Sequence, residues 1–315
     1  MTTHRYNKGG RNYGYGKQIS YAVKNALKDR YGEGKYATRA AHEARFAHFN
    51  NYLKNEGVKD LRKINENTIN KFGQTLNAAL KQKTMSVSYA QNLISTVNVV
   101  MVQVRGDNQL QVSPSSIVGQ RTHIRTQAPL SIDRQKVEVA VSNMTDVRVK
   151  ASVLLAREFG LRFKETALLN LNRAIKEATT LGKFNVVDGT KGGRTADRWI
   201  SVSAKQLDTL KQAKQAAGKF KNIVGKTGNF KQWQNSFSAA YRGSGANSNI
   251  GKFHDLRAAY ACECYQQLTG HRAPVVSGSR TAPYELDQSA RAVLALKLGH
   301  NRIDVLNSYI GCASS

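Results

Sequence analysis

Between Ile19 and Arg105 apolar residues recur at the period of an α-helix, and this constrains the first third of the chain more tightly than any single motif. Leu93, Val97, Val100, Met101 and Val104 fall at i, i+4, i+7, i+8 and i+11; Ile69, Phe72, Leu76 and Leu80 form a second stripe, and Phe46, Phe49 and Leu53 a third. Asn65 or Asn67 is placed to cap the second stripe, and Gly57 and Gly106 stand where helices should stop. Such stripes need one another to be buried, so residues 17–106 are expected to form a small helical bundle. Residues 1–16, rich in Gly, Tyr, Arg and Asn, offer little to bury and read as a flexible basic arm. Residues 107–130 lack periodicity, carry Ser113, Ser115 and Ser116 around Pro114 and a basic cluster of Arg121, His123 and Arg125, and read as a linker.

A second domain is expected over 131–315. Val153, Leu154, Leu155 and Phe159 predict a buried helix that Gly160 ends. Arg162 then projects from the turn into a helix over Phe163 to Leu171, with Glu165 three residues on to orient it. Lys183 to Val187 and Arg198 to Val202 read as the arms of a hairpin whose connection, Asp188-Gly189-Thr190-Lys191-Gly192-Gly193-Arg194, presents Lys191. Gly270 to Pro283 reads as an inserted loop, expected to cover a site or touch a neighbouring protomer. Helical periodicity resumes at Ala290, Val293, Leu294 and Leu296, with Asp287 as a candidate cap. The fold class expected is mainly α with a small β-sheet (α+β).

Charge narrows the partners. The chain has 315 residues, and Lys+Arg 48 against Asp+Glu 21 gives a net charge of +27. A ribosomal or membrane-surface protein can carry such an excess, but here it is spread through amphipathic segments rather than a low-complexity tail. That favours a folded surface tracking a phosphate backbone, with nucleic acid as the expected partner. Lys81, Lys83, Ser88, Gln91 and Asn92 around the start of the last bundle helix, with Arg121, Arg125 and Arg194, are candidate DNA contacts; for any single lysine a solvated face explains the charge equally well. Three cysteines, Cys262, Cys264 and Cys312, make neither a disulfide framework nor a zinc quartet, and no metal is expected. The absence of a signal-like or membrane-spanning segment predicts a soluble, cytoplasmic protein. Gly225-Lys226-Thr227 suggests a phosphate loop, but Phe220 stands where the Walker pattern requires glycine, so an ATPase is rejected.

The chemistry concentrates between Phe253 and Gly311. His254 and Arg257, at i and i+3, share one helix face, where an imidazole and a guanidinium can reach oxygens of one phosphate. Leu298-Gly299-His300 follows, and Tyr309 stands nine residues beyond His300, far enough for a turn and about two helical turns to bring the phenol back. Tyr260, Tyr265 and Tyr284 compete as nucleophile, and each motif alone has a structural explanation.

Taken in order, Arg162, Lys191, His254, Arg257, His300 and Tyr309 resemble the signature of the tyrosine recombinase (phage integrase) family, over roughly Ser131 to the C-terminus. The resemblance implies a helical SAM-like core-binding domain followed by a tyrosine recombinase catalytic domain, closing on DNA as a C-shaped clamp. It implies Tyr309 as nucleophile toward a phosphodiester, Arg162 and Arg257 as clamps on its nonbridging oxygens, His300 as a further donor, His254 as base and Lys191 as general acid, with Glu165 in support. A phenol, with a reference pKa of about 10, must lose its proton to attack. The product would be a 3′-phosphotyrosyl bond that a 5′-hydroxyl can reverse without ATP, metal or cofactor. The resemblance further implies a homotetramer on DNA built from monomers, with a possible accessory directionality factor, serving integration or excision of a mobile element or phage. Six residues follow Tyr309, which looks too short for a helix donated to a neighbour. A type IB topoisomerase that reseals one strand, and a catalytically silent DNA-binding architectural protein, are the competing functions.

Overall fold

The computed structural model describes residues 9–190 and 197–312; Lys191 and Arg194, two of the expected site residues, lie outside them. The chain divides into two compact units, Met1–Thr122 and His123–Ser315.

The first unit is a bundle of α1 (Ile19–Tyr31), α2 (Tyr36–Asn55), α3 (Glu66–Lys81) and α4 (Val87–Arg105). Its core holds the expected stripes: Phe46, Phe49 and Leu53 of α2, Ile69, Phe72 and Leu76 of α3, and Leu93, Val97, Val100, Met101 and Val104 of α4. Asn65 closes the start of α3 by accepting from the Thr68 N–H at 2.9 Å, and Gly106 ends α4 in the left-handed region.

Two expectations for this unit are corrected. The described part of the expected arm is folded: Arg11–Gly14 is a 3-10 turn, and Asn12, Tyr13 and Tyr15 are buried. Asn12 donates its N–H to Asp60 at 2.9 Å and accepts from the Leu61 N–H at 2.8 Å. Composition misled because a tyrosine buries a large ring while its polar tip keeps a partner. The first half of the expected linker also belongs to this unit: α5 (Pro114–Val118) buries Val118, and Asn77 and Asn98 donate to the Ile117 and Val112 carbonyls.

The second unit contains α6 (Arg134–Ser142), α7 (Val147–Phe159), α8 (Phe163–Leu168), α9 (Leu171–Leu181) and the antiparallel pair β1 (Lys183–Asn185) and β2 (Trp199–Ser201), with Phe184 opposite Ile200. It continues with α10 (Ala204–Ala217), α11 (Phe230–Gly243), α12 (Ala246–Ile250), α13 (Phe253–Thr269), α14 (Pro274–Ser277), α15 (Tyr284–Lys297) and α16 (Asn307–Ile310). The helix expected over Phe163 to Leu171 is two helices, because Asn170 turns out to cap α9 by accepting from the Arg173 N–H. One core lies under α7, α9, α10, α11 and the hairpin; a second gathers α13, α15 and α16. Helix α13 contributes Leu256 to the first core and Ala258, Ala261 and Tyr265 to the second, so it is buried on nearly every face.

The segment from Gly270 to Pro283 is no loose loop. Ala273, Pro274, Val275 and Ala282 are buried, and α14 packs on α16. Asp287 is not a cap: it lies inside the first turn of α15, buried, and binds Arg291 at 2.8 Å and the Tyr265 hydroxyl at 2.8 Å. Among the described residues, no helix is long and apolar enough to cross a membrane.

Candidate active site

The site begins where α7 ends. Gly160 stands at φ +60 with the Tyr260 ring packed where a Cβ would project, a position only glycine fills without strain. The chain then turns and places Arg162 at the entry to α8. The Arg162 N–H and one of its Nη groups both donate to Glu165, the latter at 2.6 Å. Glu165 is fully buried, and its other oxygen accepts from Arg198 Nη1 at 2.9 Å and lies 3.9 Å from Arg257 Nη1. Burial works against the carboxylate, but the charges of Arg198, Arg257 and Arg162 outweigh it and hold the carboxyl below the usual range.

Helix α13 supplies His254 and Arg257. Arg257 passes through the core with its side chain 1% exposed, whereas Arg162 is 24% exposed; of the two, Arg162 is the one that reaches solvent directly. Arg257 donates to the Gly160 and Leu298 carbonyls, and burial lowers its pKa to about 10, which leaves it charged at neutral pH. The Leu298 carbonyl also accepts from Arg162 at 3.1 Å, so one peptide group ties both arginines to the end of α15.

Gly299, at φ +64, lets the chain fold back after α15; a Cβ there would lie 3.1 Å from Arg198 Cδ and 3.7 Å from Arg162 Nη1. His300 follows, with Nε2 at 3.5 Å from an Nη of each of Arg162 and Arg257. Desolvation, then the charges of Arg257, Arg162 and Arg198, push its pKa down to about 4, so the ring is neutral at pH 7.

Tyr309 comes from α16 and is 4% exposed. Among the described residues, its hydroxyl has His300 Nε2 at 3.2 Å and Arg257 Nε at 3.4 Å as hydrogen-bond partners. With two guanidiniums also donating toward Nε2, the consistent tautomer has Nε2 unprotonated and the phenol donating to it. The segment bearing Tyr309 is held from both ends. Arg125 donates its backbone N–H to the Asn307 carbonyl at 2.8 Å, and Arg291 donates to Asn307 Oδ1 and to the Gly311 carbonyl. His254, although it reaches solvent, is desolvated by the chain behind it and lies beside Arg257; both lower its pKa. Its ring centroid is 5.1 Å from that of Tyr309.

Arg162, Glu165, Arg198, His254, His300 and Tyr309 line one open pocket of about 870 Å³. Arg257 lies buried beside Tyr309 and His300, and around Glu165 three guanidiniums meet one carboxylate, an excess of two positive charges suited to an anion with several oxygens. The competing tyrosines are elsewhere: Tyr260 packs on Gly160, Tyr265 binds Asp287, and Tyr284 is exposed.

Five of the six signature residues are thus described and together; Lys191 lies outside the described residues. The expected DNA contacts divide. Lys81, Lys83, Ser88 and Arg121 are exposed and Asn92 is half-buried. Gln91 is turned inward and donates to the Gly119 carbonyl at 2.5 Å, because α5 packs there, which removes it as a reader of bases. Arg125 has its guanidinium on Asp255 at 2.8 Å rather than in solvent. Arg198 was not foreseen: in sequence it is one more polar residue at the start of a strand, and only the fold brings it to Glu165.

The fold that carries this arrangement is shared with solved integrases. Residues 119–263 match the family model for Integrase. Among solved structures, the chain is similar to lambda integrase, bound as a dimer to a COC′ core site, at 16% identity and a TM-score of 0.58, over 92% of this chain and 76% of that one. A shorter lambda integrase in the same type of complex gives 15% identity and a TM-score of 0.59, over 92% and 94%. The Tn1549 transposon integrase in complex with transposon right end DNA gives 11% identity and a TM-score of 0.58, over 91% and 94%. A comparison with curated proteins gives no match. These likenesses show that the chain shares the fold of the integrases, and the family model matches its residues 119–263.

Proposed function

We propose that this protein cleaves and rejoins double-stranded DNA at specific sites through a covalent bond between Tyr309 and a 3′-phosphate, in the integration or excision of a mobile element. The observation that supports this most directly is the position of the Tyr309 hydroxyl, 3.2 Å from a neutral His300 and 3.4 Å from Arg257, at the edge of a basin with surplus positive charge. The DNA-bound integrases of similar fold support duplex DNA as the substrate.

In this reading the scissile phosphate enters beside Arg162, and Arg162 and Arg257 exchange the Leu298 carbonyl for its nonbridging oxygens. The phosphate's charge offsets the cationic field that depresses His300, so the imidazole gains proton affinity as substrate binds. His300 then takes the phenolic proton while Tyr309 attacks phosphorus. This moves the role of base from His254 to His300; His254 stands at the pocket wall as a further donor to the phosphate. Negative charge on the pentacoordinate transition state is met by the two arginines. The 5′-oxygen leaves with a proton from Lys191, and its later attack on a phosphotyrosyl bond restores Tyr309. Exchange between two duplexes takes four such sites, hence four protomers on DNA.

The test is a library of randomised duplexes, each nicked near its centre so that the released strand diffuses away, run on a denaturing gel. A protease-sensitive adduct with wild type and none with Tyr309→Phe is the expected result. DNA that is bound but never joined to either protein would leave a silent DNA-binding protein. Resealing without exchange between two sites would leave a topoisomerase.

A further inference from the structure

Arg198, a buried arginine at the pocket, has no role in the recombinase reading. Its backbone is fixed in the hairpin: the N–H donates to Asn185 Oδ1 at 3.0 Å and the carbonyl accepts from the Val186 N–H at 3.0 Å. From there the side chain crosses to two other parts of the site. Nη1 donates to Glu165 Oε2 at 2.9 Å, and Nε donates to the Lys297 carbonyl at 2.8 Å, the last peptide of α15 before the turn that carries His300. Its Cδ lies against Gly299, where any larger residue would separate it from the turn. Nη2 is buried with no partner among the described residues. A purely structural arginine is selected to satisfy all its donors, since an enclosed, unpaired one costs stability.

From this geometry we propose that Arg198 is a positioning residue, which joins Glu165 to the Lys297–His300 turn and so sets the placement of Arg162 and His300 relative to each other. Glu165 has one oxygen for Arg162 Nη1 and one shared by the Arg162 N–H and Arg198. Without Arg198 the buried carboxyl keeps its burial penalty but loses its largest compensating charge, and it takes up a proton more readily. A protonated Glu165 no longer holds the Arg162 guanidinium as an ion pair. The Lys297 carbonyl loses its donor at the same time, which frees the turn whose Leu298 carbonyl both Arg162 and Arg257 use. Arg198 therefore acts through Glu165 and the turn, on groups that touch the phosphate.

The inference rests on the recombinase reading for its kinetic test, and a second measurement keeps the two separable. In single-turnover cleavage, Arg198→Met is expected to bind DNA as wild type does but to cleave about a hundredfold more slowly, the scale of losing one aligned donor. Its acid limb should lie at higher pH than that of wild type, because Glu165, without the charge of Arg198, takes up a proton more readily. Arg198→Lys, which keeps the charge and loses one of the two bonds, should recover part of the rate. In a Glu165→Gln background Arg198→Met should cost less than it does alone, because only the Lys297 carbonyl remains for Arg198 to hold. Independent, additive losses there, or a Met variant with wild-type rate and an unmoved acid limb, would overturn the proposal. If wild type itself forms no adduct, the recombinase reading fails, and the ¹³C titration of the Glu165 carboxyl still decides this inference. An upward shift in the Met variant supports it, and an unchanged midpoint overturns it.

Discussion

Two buried clusters in the second unit are made of the same groups and have opposite character. Asp287 and Arg291 pair one to one at 2.8 Å, both essentially inaccessible, with Tyr265, Asn307 and the Gly311 carbonyl taking the remaining bonds. Glu165 faces Arg162, Arg198 and Arg257, and the excess charge opens into a pocket. The first cluster is balanced and closed; the second stays two charges short until an anion arrives. A third cluster, in which Arg134 and Arg157 meet Glu158 and Glu263, is balanced again and fastens α6 and α7 to α13. Burial of arginine alone therefore does not mark a site. An unbalanced count around a buried carboxylate, together with an opening, does.

The comparison can be tested from both sides. The largest effect expected is that Tyr309→Phe abolishes the covalent adduct while thermal stability falls only by the ~0.5–1.5 kcal/mol of one hydrogen bond. Next, Arg291→Ala should destabilise the fold by ~3–5 kcal/mol, because it leaves Asp287 buried without its counter-charge. Thermal denaturation reads this directly, and a double variant, Asp287→Leu with Arg291→Met, should regain much of the loss, as a balanced pair is replaceable by apolar groups. Arg162→Ala is expected to behave the other way. Glu165 retains Arg198, so the melting temperature should change little, while cleavage falls ~10²–10³-fold, equivalent to ~3–4 kcal/mol of transition-state stabilisation. A collapse of stability in Arg162→Ala, or no collapse in Arg291→Ala, would remove the distinction between the two clusters.

What could be read from sequence follows the same division between local and assembled features. The stripes of α2, α3 and α4 were legible because periodicity is a property of contiguous residues, and so was the Asn65 cap. The order Arg162, His254, Arg257, His300, Tyr309 was legible because each lies in a short recognisable motif. Arg198 was not: its partners are Glu165, 33 residues away, and Lys297, 99 residues away, and no local pattern carries that. The inward turn of Gln91 depends in the same way on where α5 packs, and the burial of Asn12 on Asp60, 48 residues on. Roles were harder than positions. His254 and His300 are chemically alike in sequence, and only the 3.2 Å approach to the phenol separates them.

The smallest and most gradual effect concerns pH, and it again contrasts the two clusters. His300 has its folded pKa lowered to about 4, below the ordinary value of 6.5, and His254 is shifted in the same direction. A base that resists protonation only when folded makes the unfolded chain bind more protons between those values, so stability rises with pH through that window. The contribution is complete above about 6.5 and is lost as pH falls toward 4. Melting temperature is therefore expected to decline from pH 6.5 toward pH 4, and His300→Asn should flatten that decline. Addition of a short duplex that fills the basin should flatten it too, since phosphate offsets the three arginines that repel the proton. The double variant Asp287→Leu with Arg291→Met, which removes both ionisable groups, should lower the curve without changing its slope in this range, because among the described residues no histidine is bonded to that pair. A slope unchanged by His300→Asn would show that the cationic basin does not extend its field to His300, and with that the contrast between an unbalanced and a balanced cluster would lose its functional meaning.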